Sequence, residues 1–170
     1  MIFVTVGTQK FPFNRLLKKV DQLVKEQVIT QEVFIQTGTA DYIPSYCHHQ
    51  AFYSRKQFGE MIGACSILIT HGGAGTIIDA IKRRKKTIVV PRLSKYREHV
   101  DDHQLELPLR LHELNLVYTC RDENALPDAL SKIENYEFDT YHSNTETFIA
   151  SVDTFLQADA PTMIPGRFRT

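Results

Sequence analysis

The stretch ILITHGGAGTIIDAI, from Ile67 to Ile81, sets four apolar or β-branched residues before His-Gly-Gly-Ala-Gly-Thr and an apolar helical pattern after it. Such spacing predicts a strand ending at Thr70, a turn on Gly72, Gly73 and Gly75, and a helix beginning near Thr76. Bare backbone at that junction leaves N–H groups free at the positive end of a helix dipole, which makes an anion site suited to phosphate. Side chains lean back toward a helix N-terminus, so Asp79 can direct its carboxylate past a phosphate to a hydroxyl pair such as a ribose. Phosphate plus ribose means a nucleotide. The alternative is a tight strand-to-helix connection that needs glycine only for its dihedrals.

The rest of the chain supplies a scaffold for that junction. Apolar and β-branched runs recur at Ile2 to Val6, Val33 to Gln36, Ile67 to Thr70, Thr87 to Val90 and Leu116 to Tyr118, with helical spacing between them. Pro12 opens a helix whose inner face is Phe13, Leu16, Leu17, Val20, Leu23 and Val24, and Ser54 caps another with Phe58, Met61, Ile62 and Cys65 inward. Further amphipathic spacing follows Asp122, at Leu126, Leu130 and Ile133, and follows Ser143, from Phe148 to Leu156. The expected fold is α/β, a Rossmann-like parallel sheet with helices on both faces, whose ligands bind at the carboxyl ends of the strands. At 170 residues the chain fits one domain.

Several classes are excluded. Lys plus Arg and Asp plus Glu are 20 each, so no net charge points to nucleic acid. Cys47, Cys65 and Cys120 are too far apart for a zinc knuckle or a disulfide framework, which makes a reducing cytoplasm the simplest compartment. MIFVTVGT reads as a strand rather than a signal peptide, and no apolar window approaches the roughly 18 residues of a membrane span. His99 and His103 have helical i, i+4 spacing, yet HVDDH lacks the glutamate of a zinc-protease helix, so no metal is expected. The run KRRKK, Lys82 to Lys86, reads as a solvated helix end, or else as a contact for an anionic membrane. Two nucleotide motifs also fail: Ile78 stands where a dinucleotide fingerprint needs its third glycine, and no lysine precedes Thr76 as a P-loop requires.

THGGAGTIIDAI, KTIVVPR and HVDDHQLEL, with VTVGTQKFPFNRLL near the start, resemble in order the donor-binding half of GT-B glycosyltransferases of family 28, the MurG-like group. The likeness is to single-domain subunits of two-part enzymes that build bacterial exopolysaccharide and capsule or eukaryotic N-glycan lipids. It covers residues 1–157 as the donor domain and leaves 158–170 as a flexible or partner-binding tail. The resemblance implies that Thr8 touches the donor phosphates and that Gly73, Ala74, Gly75 and Thr76 form the diphosphate turn. Asp79 stands where the family has a ribose-binding Glu. His103 and Gln104 stand where it reads sugar hydroxyls, and Phe52 and Tyr53 belong to a short strand that frames the uracil. His71 has two open readings, a phosphate contact or a hydrogen-bonded structural residue.

The function so implied is transfer, with inversion, of a hexose from a UDP-sugar to an undecaprenyl-diphosphate-linked sugar, galactose in β-1,4 linkage being the first choice. UDP-GlcNAc is the alternative donor, a nucleotide-binding noncatalytic subunit and an NAD-dependent oxidoreductase the alternative classes. No D-x-D triplet is present, so leaving-group stabilisation falls to the helix N-terminus, without metal or cofactor. The acceptor domain of a GT-B enzyme is missing from the chain. The resemblance therefore implies a membrane-anchored partner subunit that binds the lipid-linked saccharide, supplies the base and holds this chain at the inner face of the plasma membrane. An isolated copy can form a homodimer through the face meant for that partner.

Overall fold

The structure, a computed structural model, describes residues 1–100, 103–143 and 149–150. The chain divides into two compact units, Met1–Thr140 and Tyr141–Thr170. The expected helix from Phe148 to Leu156 lies almost wholly outside the described residues, and the tail 158–170 entirely so.

The first unit alternates strand and helix. β1 (Ile2–Thr5) leads into α1 (Asn14–Lys25), which Phe13 precedes, and then into β2 (Val33–Gln36). β3 (His48–Gln50) is followed by α2 (Arg55–Ala64), whose start is fixed by a capping box. The Gln57 amide donates to Ser54 Oγ at 3.3 Å, and the Ser54 amide donates to Gln57 Oε1 at 3.1 Å. Such a cap contributes about 1 kcal/mol. β4 (Ile67–Thr70), α3 (Ala74–Lys82) and β5 (Lys86–Val89) carry the glycine turn, and α4 (Glu106–Glu113), β6 (Tyr118–Thr119) and α5 (Leu126–Ile133) complete the unit.

All six strands are parallel and lie in the order β3-β2-β1-β4-β5-β6. Alternate residues serve opposite faces. Ile2, Val4, Ile35, Ile69 and Ile88 pack with Leu16, Leu17 and Val20 of α1 and with Ala129 and Ile133 of α5. Phe3 and Leu68 point the other way, onto Ile62 of α2 and Ala80 of α3. Both faces are covered, which is why these strands read as unbroken apolar runs.

Two elements had no periodic signal. β3 is an exposed edge strand of polar residues, His48, His49 and Gln50. It ends before Phe52 and Tyr53, which therefore follow the edge strand rather than form it. α4 is only 8 residues long and carries Pro108 in its first turn. The basic run starts at the end of α3 as expected, with Lys82, Arg83 and Arg84 exposed, but its last two lysines are engaged. Lys85 Nζ donates to the carbonyls of Gly63 and Cys65 at the end of α2, and Lys86 Nζ donates to Glu134 O at the end of α5. Arg83 binds Asp79 and Gly59 O. Lys85 and Lys86 thus close the ends of α2 and α5, where cations are favoured.

Candidate functional site: a cleft at the strand-order reversal

The strand order reverses between β1 and β4, and the register places Thr5 beside Thr70 and Gln36 at the sheet's carboxyl edge. Ligands of open parallel sheets bind in the crevice at that reversal. An open cleft of about 470 Å³ lies there. Thr8 and Gln9 line it from the loop after β1, Gln36 from β2, Tyr53, Arg55 and Phe58 from the start of α2, and His71 with Gly73 to Thr76 from the turn into α3.

The imidazole of His71 organises this site. It is 9% exposed, and its Nδ1 lies 3.4 Å from Thr5 O and from Thr70 Oγ1. A carbonyl can only accept, so Nδ1 carries the proton and Nε2 keeps a lone pair. A Cβ at Gly7 would lie 2.6 Å from the ring's Cε1, and one at Gly73 would lie 2.6 Å from Nε2. The ring is sandwiched between two glycines from different loops. The helix begins two residues earlier than expected, at Ala74, so only Gly72 and Gly73 lie in the turn: Gly72 supplies a positive φ of 104° and Gly73, the N-cap, makes room for the imidazole. Gly75, in the first turn of α3, faces open space, with nothing within 4 Å of the point where a Cβ would stand.

Burial, and after it the charge of Arg92, push the His71 imidazole down to about 4, against the hydrogen bond to Thr5. It is neutral at physiological pH. An unfolded histidine binds its proton near 6.5, so between about 6.5 and 4 the unfolded chain holds more protons than the folded one. Stability is then complete above pH 6.5 and falls as pH drops through that window, by on the order of 3 kcal/mol. Urea unfolding of the wild type and of His71→Asn across pH 4 to 7 checks this: the variant loses less stability than the wild type toward low pH.

Arg92 holds the floor of the site. It is 1% exposed; Nη2 donates to Val6 O and Nη1 to Phe11 O, each at 2.6 Å, so both ends of the loop carrying Thr8 are tied to the end of β5. Burial lowers its guanidinium to about 10, against the attraction of Glu98. Glu98, 4% exposed, accepts two hydrogen bonds from Arg15, at 2.8 and 2.9 Å, and one from the Leu93 amide at 3.0 Å. Arg15 also pairs with Glu123. Arg92 and Arg15 lie within the stretches KTIVVPR and VTVGTQKFPFNRLL, but no spacing in the sequence shows that they pair with Glu98 and Glu123.

The expected site residues are only partly assembled. Thr8, Tyr53, His71, Gly73, Ala74, Gly75 and Thr76 line the cleft. Asp79 lines an adjoining cleft of about 450 Å³ that shares Arg55, Phe58, Gly75 and Thr76 with the first. Its carboxylate accepts from Arg83 Nε at 2.9 Å, with both side chains about two-fifths exposed, so this pair stabilises little and leaves Asp79 accessible. Phe52, 45% exposed, lines neither cleft. Gln104 stands in the 3-10 turn His103–Leu105 and donates to Arg92 O at 3.4 Å, outside both cleft walls. The side chain of His103 lies outside the described part. His99 sits in a bend with its ring 6.1 Å from that of Phe11, so it is not on a helix and the i, i+4 metal-site reading does not hold. Among the described residues no three His, Cys, Asp or Glu side chains cluster as a metal site, and no helix is long and apolar enough to cross a membrane. Gln9, Gln36, Arg55 and Phe58 were missed. Gln36 had a signal, since a polar residue at the carboxyl end of an apolar strand is placed to face a ligand.

α3 begins with no side-chain cap on its first amides. An uncapped helix start beside an open glycine, at the reversal of a 3-2-1-4-5-6 parallel sheet, is the architecture of one Rossmann-like half of a GT-B glycosyltransferase. Comparison with known proteins specifies this further. The glycosyltransferase family 28 C-terminal domain matches residues 1–157, and the chain belongs to that family. It is 31% identical over 129 residues to the human UDP-N-acetylglucosamine transferase subunit ALG13, an alignment covering 71% of this chain and 11% of the relative. The chain thus spans about a tenth of that relative's length. The fold matches the NMR structure of ALG13 with a TM-score of 0.60 at 18% identity, over 89% of this chain and 94% of that one. It also matches the calicheamicin glycosyltransferase CalG4, with a TM-score of 0.59 at 14% identity, over 94% of this chain and 44% of that one.

Proposed function

We propose that this chain is the donor-binding subunit of an inverting glycosyltransferase that uses a UDP-hexose. The observation that carries the reading is the uncapped start of α3, with Gly75 open to the cleft between Thr8 and Tyr53. In this reading the diphosphate rests on the amides of Ala74 to Thr76, the ribose hydroxyls reach Asp79, and the uracil lies toward Tyr53. An acceptor hydroxyl attacks the anomeric carbon as the bond to the β-phosphate oxygen breaks. The helix dipole and the amide donors stabilise the charge developing on the departing UDP. The hydroxyl's proton passes to a base on a second subunit, which is membrane-anchored and presents a lipid-linked saccharide at the inner face of the membrane. Residues 1–157 serve as the donor domain and 158–170 as a tail that engages this partner.

Two donors are proposed. Likeness to the bacterial polysaccharide subunits favours UDP-galactose and an undecaprenyl-diphosphate-linked acceptor in capsule or exopolysaccharide synthesis. The 31% identity to a UDP-N-acetylglucosamine transferase subunit favours UDP-GlcNAc.

Calorimetric titration with UDP, UDP-galactose, UDP-glucose, UDP-GlcNAc and NADH, without added metal, tests the reading and ranks the donors. UDP compounds should bind and NADH should not; preference for NADH would replace the reading with that of an oxidoreductase. Asp79→Ala and Thr76→Ala should each weaken UDP binding by about 1 to 3 kcal/mol. Unchanged affinity in both variants would overturn the placement. Transfer on reconstitution with the partner separates an enzyme subunit from a noncatalytic one.

A further inference from the structure

Arg55 is the first residue of α2, and its side chain lines both clefts where they meet along Phe58, Gly75 and Thr76. Three features of its setting work against a purely structural role. It sits in the first turn of a helix that carries no acidic residue there, so its charge opposes the positive end of the α2 dipole. It is exposed and makes no hydrogen bond or ion pair with any described residue, whereas Arg83 nearby pairs with Asp79 and Lys85 closes the end of α2. It shares its cleft walls with the uncapped start of α3, a second positive helix end. The acid of the second cleft, Asp79, is already held by Arg83, and Lys82 lines that cleft as a further cation. The meeting point of the two clefts thus gathers the Arg55 guanidinium and the start of α3, with Lys82 and Arg83 beyond them and Asp79 the acid that lines the second cleft. Residues that break a local rule in this way belong where a ligand compensates them.

We propose that Arg55 binds the diphosphate of the nucleotide donor, so that the leaving group is held between the start of α3 and a guanidinium delivered by the start of α2. The inference rests on the donor-site reading above. It makes Arg55 selective for the number of phosphates rather than for the base. A guanidinium takes two phosphate oxygens at once, and a lysine ammonium does not.

The test uses the full chain and follows amide chemical shifts during titration with UDP, UMP and uridine, for the wild type, Arg55→Gln and Arg55→Lys. Arg55→Gln should weaken UDP by about 10- to 100-fold, UMP by less and uridine not at all, with unfolding temperature unchanged. Arg55→Lys should fall between Arg55→Gln and the wild type. If the wild type binds UDP and Arg55→Gln binds it equally well, or if all three ligands weaken alike, the Arg55 assignment is wrong and the donor site stands. If the wild type binds no UDP, the donor-site reading itself fails and this inference with it.

Discussion

Gly73→Ala should unfold at markedly lower urea concentration than the wild type, by about 2 to 3 kcal/mol, and should lose UDP binding. The cause is collision rather than backbone strain, because Gly73 has φ −63°, which alanine adopts freely. The new methyl would stand 2.6 Å from His71 Nε2 and 2.9 Å from Cε1. The ring cannot retreat, since Gly7 closes its other side and Thr5 and Thr70 hold Nδ1. A double-mutant cycle isolates this term. In a His71→Ala background the same Gly73→Ala change should cost much less. Additive costs would mean that Gly73 serves some other purpose. Gly75→Ala is the contrasting variant: with no neighbour within 4 Å it should keep or slightly raise stability, while the added methyl obstructs a phosphate.

Glu98→Ala should cost about 3 to 5 kcal/mol, again read from urea unfolding. The substitution leaves Arg15 with one carboxylate partner, Glu123, and leaves the buried Arg92 without its nearest counter-charge. Arg92 Nε already lacks a hydrogen-bond partner, so that guanidinium has no reserve of contacts to draw on. Because Arg92 ties Val6 and Phe11 to the end of β5, the loop bearing Thr8 should loosen as well and UDP should bind more weakly. A loss below about 1 kcal/mol would show that water replaces the carboxylate and that the network is not dry.

The legible parts of this chain are those whose signal is local. The runs at Val33 to Gln36 and Ile67 to Thr70 are the strands observed, because a strand buried on both faces must be apolar throughout. Ser54 caps α2 as its spacing predicts, because the N-cap and its N3 partner are three residues apart in the chain. The edge strand His48–Gln50 was illegible, since an exposed edge needs no apolar face. Asp21 was illegible for the opposite reason. It interrupts the buried face of α1, and only the folded chain shows why: its carboxylate, 2% exposed, accepts from Tyr42 Oη and from the Ser45 and Tyr46 amides at 2.7 to 2.9 Å.

The candidate site divides along the same line. Sequence by itself determined a parallel α/β sheet and a glycine-rich junction into a helix whose first amides carry no side-chain cap, because strand burial, glycine dihedrals and free helix amides all follow from residues within a few positions of one another. Tertiary structure alone decided that Gly7 and Gly73, 66 residues apart like Thr5 and His71, clasp one imidazole, that Arg92 anchors the loop after β1, and that Arg55 lines the same cleft as the start of α3. These are contacts between segments distant in the chain, fixed only when the sheet brings the ends of β1 and β4 side by side.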